Sequence, residues 1–378
     1  MSATILPGEA VTRAEPPSLS VGPIGWARTN LFNNWWSTAV TLALGYLIVR
    51  WTIGFIDWGL IHAVWTVPER APGLPNANAC LVAKETGACW AVIADKWRFM
   101  MFGRYTFAEQ WRPGICIGLF IALYVVSAMR RFWRWELAIV WLATLTLIFV
   151  LMWGGIFGLT FVPQDQWGGL PITFILSTFG LAVAFPLSIL VALGRRSTTL
   201  PAVKVLCVVY VELVRGVPLI SFLFMASTLF PLFMPVGFNP DKLLRAQVAI
   251  ILFAAAYLAE VVRAGLQALP KGQYEAADSL GLSYFYKMAF IVLPQALRLV
   301  IPPLVNTFIG FFKDTSLVLI IGIYDLLSAG KIALTEPAWQ PFGTEVYLVI
   351  AAIYFVFCFA MSRYSRGLET EFNRSIRR

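Results

Sequence analysis

The chain has 378 residues, 59% of them apolar and only 13% charged, with a mean hydropathy of +0.75. Average globular chains are about half apolar and about a quarter charged. So few charges cannot clothe a soluble enzyme of this length, and the low-hydrophobicity signature of a disordered chain is excluded by the same figures. The net charge of +9 lies between apolar runs, where basic residues set membrane orientation; no nucleic-acid-binding motif accompanies it, and no nucleic-acid partner is expected.

Residues 1–30 carry mixed charge and several prolines, without the short basic-then-apolar run and cleavage site of a signal peptide, and read as a cytoplasmic tail. A crossing helix needs about 20 apolar residues. The run from Trp35 to Trp65 exceeds that and predicts one tilted helix, with Trp51, Trp58 and Trp65 near the outer interface. The polar stretch 68–112 predicts an extracytoplasmic loop with a short helix around Ala91–Phe102. Cys80 and Cys89 share that loop; two unpaired small residues are the expectation, with a disulfide as the alternative an oxidising compartment permits. The cysteines form no C-x-x-C pair and His62 is the only histidine, so no metal site is expected.

A second span, Pro113–Met129, is stopped by Arg130, Arg131 and Arg134, and a third, Trp135–Phe157, returns to the loop Pro163–Gly169. Fourteen of the fifteen tryptophans fall at or before Trp167, which places a module boundary near residue 165. The second module opens with Pro171–Gly194, ending at Arg195 and Arg196. The span Val203–Phe233 is interrupted by Arg215, Gly216 and Pro218; Ala246–Leu266 follows, then a polar helix-favouring segment, Pro270–Lys287. Apolar sequence resumes from Ile291 to Ile321, with Pro294 opening a membrane helix, and the last span is Val346–Met361. Eight spans put both termini on one side, and the clusters at Arg130/Arg131, Arg195/Arg196 and Arg363–Arg378 make that side cytoplasmic.

The segment Tyr274–Pro294, YEAADSLGLSYFYKMAFIVLP, is unusual between two spans because it lacks linker composition. Glu275, Ala276, Ala277 and Leu280 favour helix, Gly281 permits a left-handed turn, and Leu282, Tyr284 and Phe285 lead a second, aromatic-rich stretch. Such a knob suits a partner's groove; an interfacial helix pair on lipid headgroups is the other reading. The segment resembles the coupling motif of ABC-importer permeases: E-A-A, three residues, G, nine residues, I-x-L-P. Glu275, Ala276, Ala277, Gly281, Ile291, Leu293 and Pro294 occupy every fixed position. Tyr210–Ile220, Tyr257–Gly265, Pro270–Gln273 and Lys313–Leu317 resemble the polar amino-acid branch. The three-helix extension, 31–165, resembles that of the M-type permease subunit of general L-amino acid transporters.

The resemblance implies an all-α integral membrane protein of about eight transmembrane helices: a five-helix type I importer core over 168–368, with its coupling loop at 270–290 and a cytoplasmic tail at 369–378, behind the extension. It implies transport of L-amino acids, a homologous permease partner, a cytoplasmic ATPase dimer gripping the coupling loop, a periplasmic amino-acid-binding protein and a bacterial inner-membrane location; an ion-driven secondary amino-acid transporter and a membrane anchor or sensor subunit of an ABC complex are the other readings. The chain has no G-x-x-x-x-G-K-[ST] phosphate loop, so ATP and Mg are expected on the partner ATPase and no catalytic residue here.

Two Glu-x-x-Arg pairs, Glu212/Arg215 and Glu260/Arg263, each fall on one helix face. Ionisable groups within a membrane line a cavity or pair with each other. Glu212, Arg215 and Gly216, with Lys313, Asp314, Thr315 and Ser316, offer both charges that a zwitterion needs and are the candidate substrate path; closed structural ion pairs are the other reading. Glu260 and Arg263, nearer the cytoplasmic end, are read as a gate or ion pair.

Overall fold

In a computed structural model, residues 22–71, 74–75, 77–235, 237 and 239–376 are described; most of the amino-terminal tail and the last two arginines lie outside them. The chain divides into two compact units that meet at Trp90/Ala91, earlier than the composition change near 165.

The first unit holds α1 (Pro23–Asn30) and α2 (Trp35–Ile56). Asn34 caps α2 by accepting from the Ser37 amide at 2.8 Å, and a wide turn carries the helix on to Ile61. The expected single long span is therefore present. Beyond it, α3 (Asn78–Ala83) leads into a disulfide between Cys80 and Cys89. The expectation of two unpaired cysteines is thus wrong. The backbone explains why: Val64 donates to Ala88 O at 2.7 Å, Trp90 donates to Val64 O at 2.8 Å, and Trp90 Nε1 donates to Gly59 O at 2.7 Å. That clasp brings the two Cα atoms to 5.5 Å, within bonding reach.

The second unit begins with α4 (Ala91–Phe102), as the sequence predicts, followed by α5 (Trp111–Ala128) and α6 (Glu136–Trp153). The core helices are α7 (Leu170–Arg195), α8 (Pro201–Arg215), α9 (Leu219–Phe224, continuing irregularly to Phe233) and α10 (Lys242–Ala268). Then come α11 (Lys271–Ser279), α12 (Tyr284–Tyr286), α13 (Leu293–Leu299), α14 (Ile301–Asp314), α15 (Leu326–Ala333) and α16 (Gly343–Ile376). Among the described residues, seven helices are long and apolar enough to cross a membrane; the α8–α9 pair, bent by 104°, makes eight if counted as one span. The bend falls at Gly216–Pro218, where proline has no amide to donate and its ring disfavours a helical residue before it.

α7 and α10 pack most extensively. Phe174 of α7 gathers Phe120 and Tyr124 of α5, Phe312 of α14 and Phe357 of α16, with ring centroids 5.0–6.3 Å apart. Helices before and after residue 165 therefore share one core. At one end, the two-residue strands Gly168–Gly169 and Tyr324–Asp325 pair in parallel, and Asp325 caps α15 through the Ser328 amide at 2.9 Å.

Pro294 does not open a membrane helix. The helical path runs unbroken from Tyr284 to Leu299, and a wide i→i+5 turn over Lys287–Val292 accommodates the donor proline lacks. The break comes at Val300, and the span proper is Ile301–Ile321.

Candidate functional site

The segment Tyr274–Pro294 folds as an elbow. The end of α11 is closed by Gly281 N to Asp278 O at 2.9 Å and Leu282 N to Ala277 O at 3.3 Å, bonds of the kind that tie off a helix with a left-handed residue. Gly281 supplies it, at φ +68°. Nothing lies within 4 Å of a Cβ built there, so the requirement for glycine is conformational rather than spatial. Lys287 Nζ meets Asp278 Oδ1 at 2.5 Å and braces one arm against the other.

Ala277 is buried beneath the elbow and Leu282 is half-buried, whereas Glu275 and Ala276 are exposed. Leu280, Tyr284, Phe285 and Phe290 are 75%, 56%, 69% and 69% exposed. An apolar patch of this kind, on a polar segment outside the spans, suits contact with a protein partner or with lipid headgroups.

The base of the elbow is tied to two core helices. Tyr274 donates its hydroxyl to Leu266 O of α10 at 2.7 Å and accepts from Arg196 at the end of α7 at 2.8 Å. Arg196 also reaches Leu266 O at 2.8 Å, and Gln295 donates to Gln273 at 2.9 Å.

One residue away begins a charge cluster. Arg195 of α7 donates to Glu212 of α8 at 2.9 Å and to Glu260 of α10 at 2.6 Å. Glu260 also meets Arg215 at 3.5 Å and Arg263 through a short bond. Three helices thus bring three guanidiniums and two carboxylates together. Glu260 and Arg263 pair as the spacing predicts. Glu212 and Arg215 do not pair with each other as expected: each finds a partner on another helix, so the two candidate pairs merge into one network. Arg195 joins them, a residue the sequence offers only as the basic end of a span.

Exposure divides the roles. The Glu260 side chain is 25% exposed and the Glu212 side chain 62%, so Glu260 is the network's hub and Glu212 its open arm.

Lys313, Asp314, Thr315 and Ser316 lie outside that network. Thr315 is buried and donates to Phe312 O at 2.9 Å; Lys313 is exposed, and Asp314 and Ser316 are half-buried. Arg215 lies 5.6 Å over the Tyr257 ring, itself 6.3 Å from Phe311 on the helix that ends at Asp314. Gly216 sits at the α8–α9 bend. Among the described residues, no three His, Cys, Asp or Glu side chains gather as a metal site.

Residues 184–373 match the family described as binding-protein-dependent transport system inner membrane component. The chain is 46% identical over 354 residues, 92% of each chain, to the inner membrane amino-acid ABC transporter permease protein YhdY of Escherichia coli (strain K12). It is 38% identical over 427 residues, 96% of each, to the glutamate/glutamine/aspartate/asparagine transport system permease protein BztC of Rhodobacter capsulatus. The probable glutamine ABC transporter permease protein GlnP of Bacillus subtilis (strain 168) is 34% identical over 203 residues, 54% of this chain and 91% of that one.

Proposed function

The chain belongs to the binding-protein-dependent transport system inner membrane component family, and from that membership we propose how its elbow and charge cluster act together. It is the membrane permease of an ABC amino-acid importer, a non-catalytic subunit whose ATP is bound by a partner ATPase. Within that class we assign it the M-type role of a general L-amino acid transporter, paired with a homologous permease, both termini cytoplasmic and 168–368 as the transport core. The solutes we assign are a broad range of polar L-amino acids that includes the acidic and amide ones named for the Rhodobacter relative.

The observation that carries the mechanism is the adjacency of elbow and cluster. Closure of the ATPase dimer on the exposed Leu280–Phe290 face moves α11. Through Tyr274 and Arg196 that motion pulls on the ends of α10 and α7. Arg195, bridging Glu212 and Glu260, feels the same displacement. The cluster has one guanidinium more than it has carboxylates, so a solute carboxylate completes it, while Glu212 is open to an ammonium. Outward- and inward-open arrangements then differ in their affinity for solute, which alternating access requires.

Uptake into vesicles holding the whole complex tests this. Glu212→Gln and Arg215→Gln are expected to raise the solute concentration for half-maximal uptake while assembly is kept. Unchanged solute affinity together with failed assembly overturns the substrate role.

A further inference from the structure

α10 carries an arginine toward each of its ends, and the two are placed differently. At about 3.6 residues per turn and about 1.5 Å per residue, Arg245 lies about five whole turns, or about 27 Å, before Arg263, and so on the same helix face. A second element follows that face. α8 ends at Arg215, which meets Glu260 of α10 at 3.5 Å. Beyond the bend, Phe222 of α9 packs on Phe253 of α10, with ring centroids 6.0 Å apart. Farther on, the Ser227 carbonyl accepts from Arg245 Nη1 at 2.5 Å. The same two stretches of chain therefore flank the inner charge cluster and Arg245.

Arg195, Arg215 and Arg263 each meet a carboxylate. Arg245 lies within the span Lys242–Ala268 and, among the described residues, meets none. Asp241, one turn earlier, is turned to the Leu243 amide at 2.9 Å instead. Arg245 is half-buried, and its Nε is buried without a partner. An unpaired charge within a membrane is costly and marks a ligand or ion path. The carbonyl that Arg245 holds belongs to a wide i→i+5 turn, Met225–Leu229, an irregularity frequent at functional sites. A neutral carbonyl orients the guanidinium without cancelling its charge, and the planar fork that remains suits a carboxylate.

We infer that Arg245 is an outer solute site, which binds the α-carboxylate of the amino acid before the solute reaches the inner cluster of Arg215 and Glu260. That carboxylate is the group all the assigned solutes share, so the site serves a broad range of side chains. The proposal rests on the permease reading, in which the elbow's end of α10 is cytoplasmic and Arg245 lies toward the side of entry. With no acid paired to it, Arg245 holds the solute by one end only; the inner cluster adds Glu212 for the ammonium, which favours passage inward.

The test is equilibrium binding of radiolabelled L-glutamine to the complete complex in nanodiscs of zwitterionic lipid, with L-glutaminamide, which lacks the α-carboxylate, as the competing analogue. Arg215→Gln serves as the background, because it disables the inner cluster and leaves the outer site to be read alone. That variant is expected to keep saturable glutamine binding, with the amide a far weaker competitor. Adding Arg245→Gln is expected to raise the dissociation constant for glutamine roughly ten-fold and to close the gap to the amide, and adding Arg245→Lys to raise it by less. Binding that ignores Arg245→Gln overturns the proposal. So does an equal loss for glutamine and glutaminamide, which marks a structural strut, and so does a loss seen only when anionic lipid is present, which marks a headgroup site. A wild-type complex that neither binds nor takes up amino acid contradicts the permease reading instead, which keeps the two failures apart.

Discussion

Arg195 and Arg196 are consecutive, yet they serve different structures: Arg195 ties Glu212 to Glu260 at 2.9 and 2.6 Å, and Arg196 holds the Tyr274 hydroxyl at the base of the elbow at 2.8 Å. The cluster in the transport core and the external joint are therefore one peptide bond apart at the end of α7. No loop separates the elbow from the charges.

The hub of the cluster is expected to dominate its energetics. Glu260→Gln leaves three guanidiniums facing only the exposed Glu212, and removing one member of a partly buried network costs on the order of 3 kcal/mol. Glu212→Gln removes an exposed partner, worth at most about 1 kcal/mol. Thermal unfolding in detergent checks the order: the Glu260 variant melts well below the Glu212 variant, and equal midpoints refute the hub assignment.

The Cys80–Cys89 bond closes a short loop, with a sequence separation of 9. Chain-entropy reasoning gives it about 2.5 kcal/mol of local stability. Mass spectrometry of peptides from unreduced protein is expected to recover the two cysteines linked, and Cys80→Ser to speed proteolysis between α2 and α4. Recovery of free thiols at both positions contradicts the clasp.

Lys96 predicts an alkaline limb. Burial pulls its ammonium down, but hydrogen bonds to Glu336 and Asp95 outweigh it and hold the pKa above the usual lysine value. A folded pKa raised above the unfolded one adds stability below the unfolded value and loses it as pH climbs through the folded value. Lys96→Met is therefore expected to be less stable than wild type by on the order of 1 kcal/mol after screening. The gap narrows above about pH 10.5; a gap that does not change with pH removes the ion pairs from the account.

The exposed elbow face is expected to affect assembly without affecting folding. Phe285 is 69% exposed, so Phe285→Ala creates no cavity and leaves the unfolding free energy in detergent within about 0.5 kcal/mol of wild type. Co-purification with the ATPase is expected to fall sharply. Undiminished co-purification shifts the docking role away from this face.

Much of this was legible in the sequence, for physical reasons. The spans show because about 20 apolar residues in a row have few other uses, and the bend at Gly216–Pro218 shows because proline cannot continue a helix. Gly281 shows because its turn needs a left-handed residue. What stayed hidden depends on distant parts of the chain. Arg195 lies 17 residues from Glu212 and 65 from Glu260, so no spacing rule links them. The i,i+3 rule succeeded for Glu260/Arg263 and failed for Glu212/Arg215, where partners on other helices won. The disulfide depends on a backbone clasp between Val64 and Cys89. Pro294 misled because a wide turn can carry a helix through it.

In the mechanism proposed, the elbow at Gly281 passes the motion of a separate ATPase to the charge cluster. The most direct measurement is ATP-driven uptake of an amino acid into vesicles holding the complete complex with Gly281→Val, whose β-branched side chain resists the φ of +68°. The account predicts normal amounts of this chain in the membrane with accumulation abolished. Accumulation at the wild-type rate with the altered elbow contradicts it.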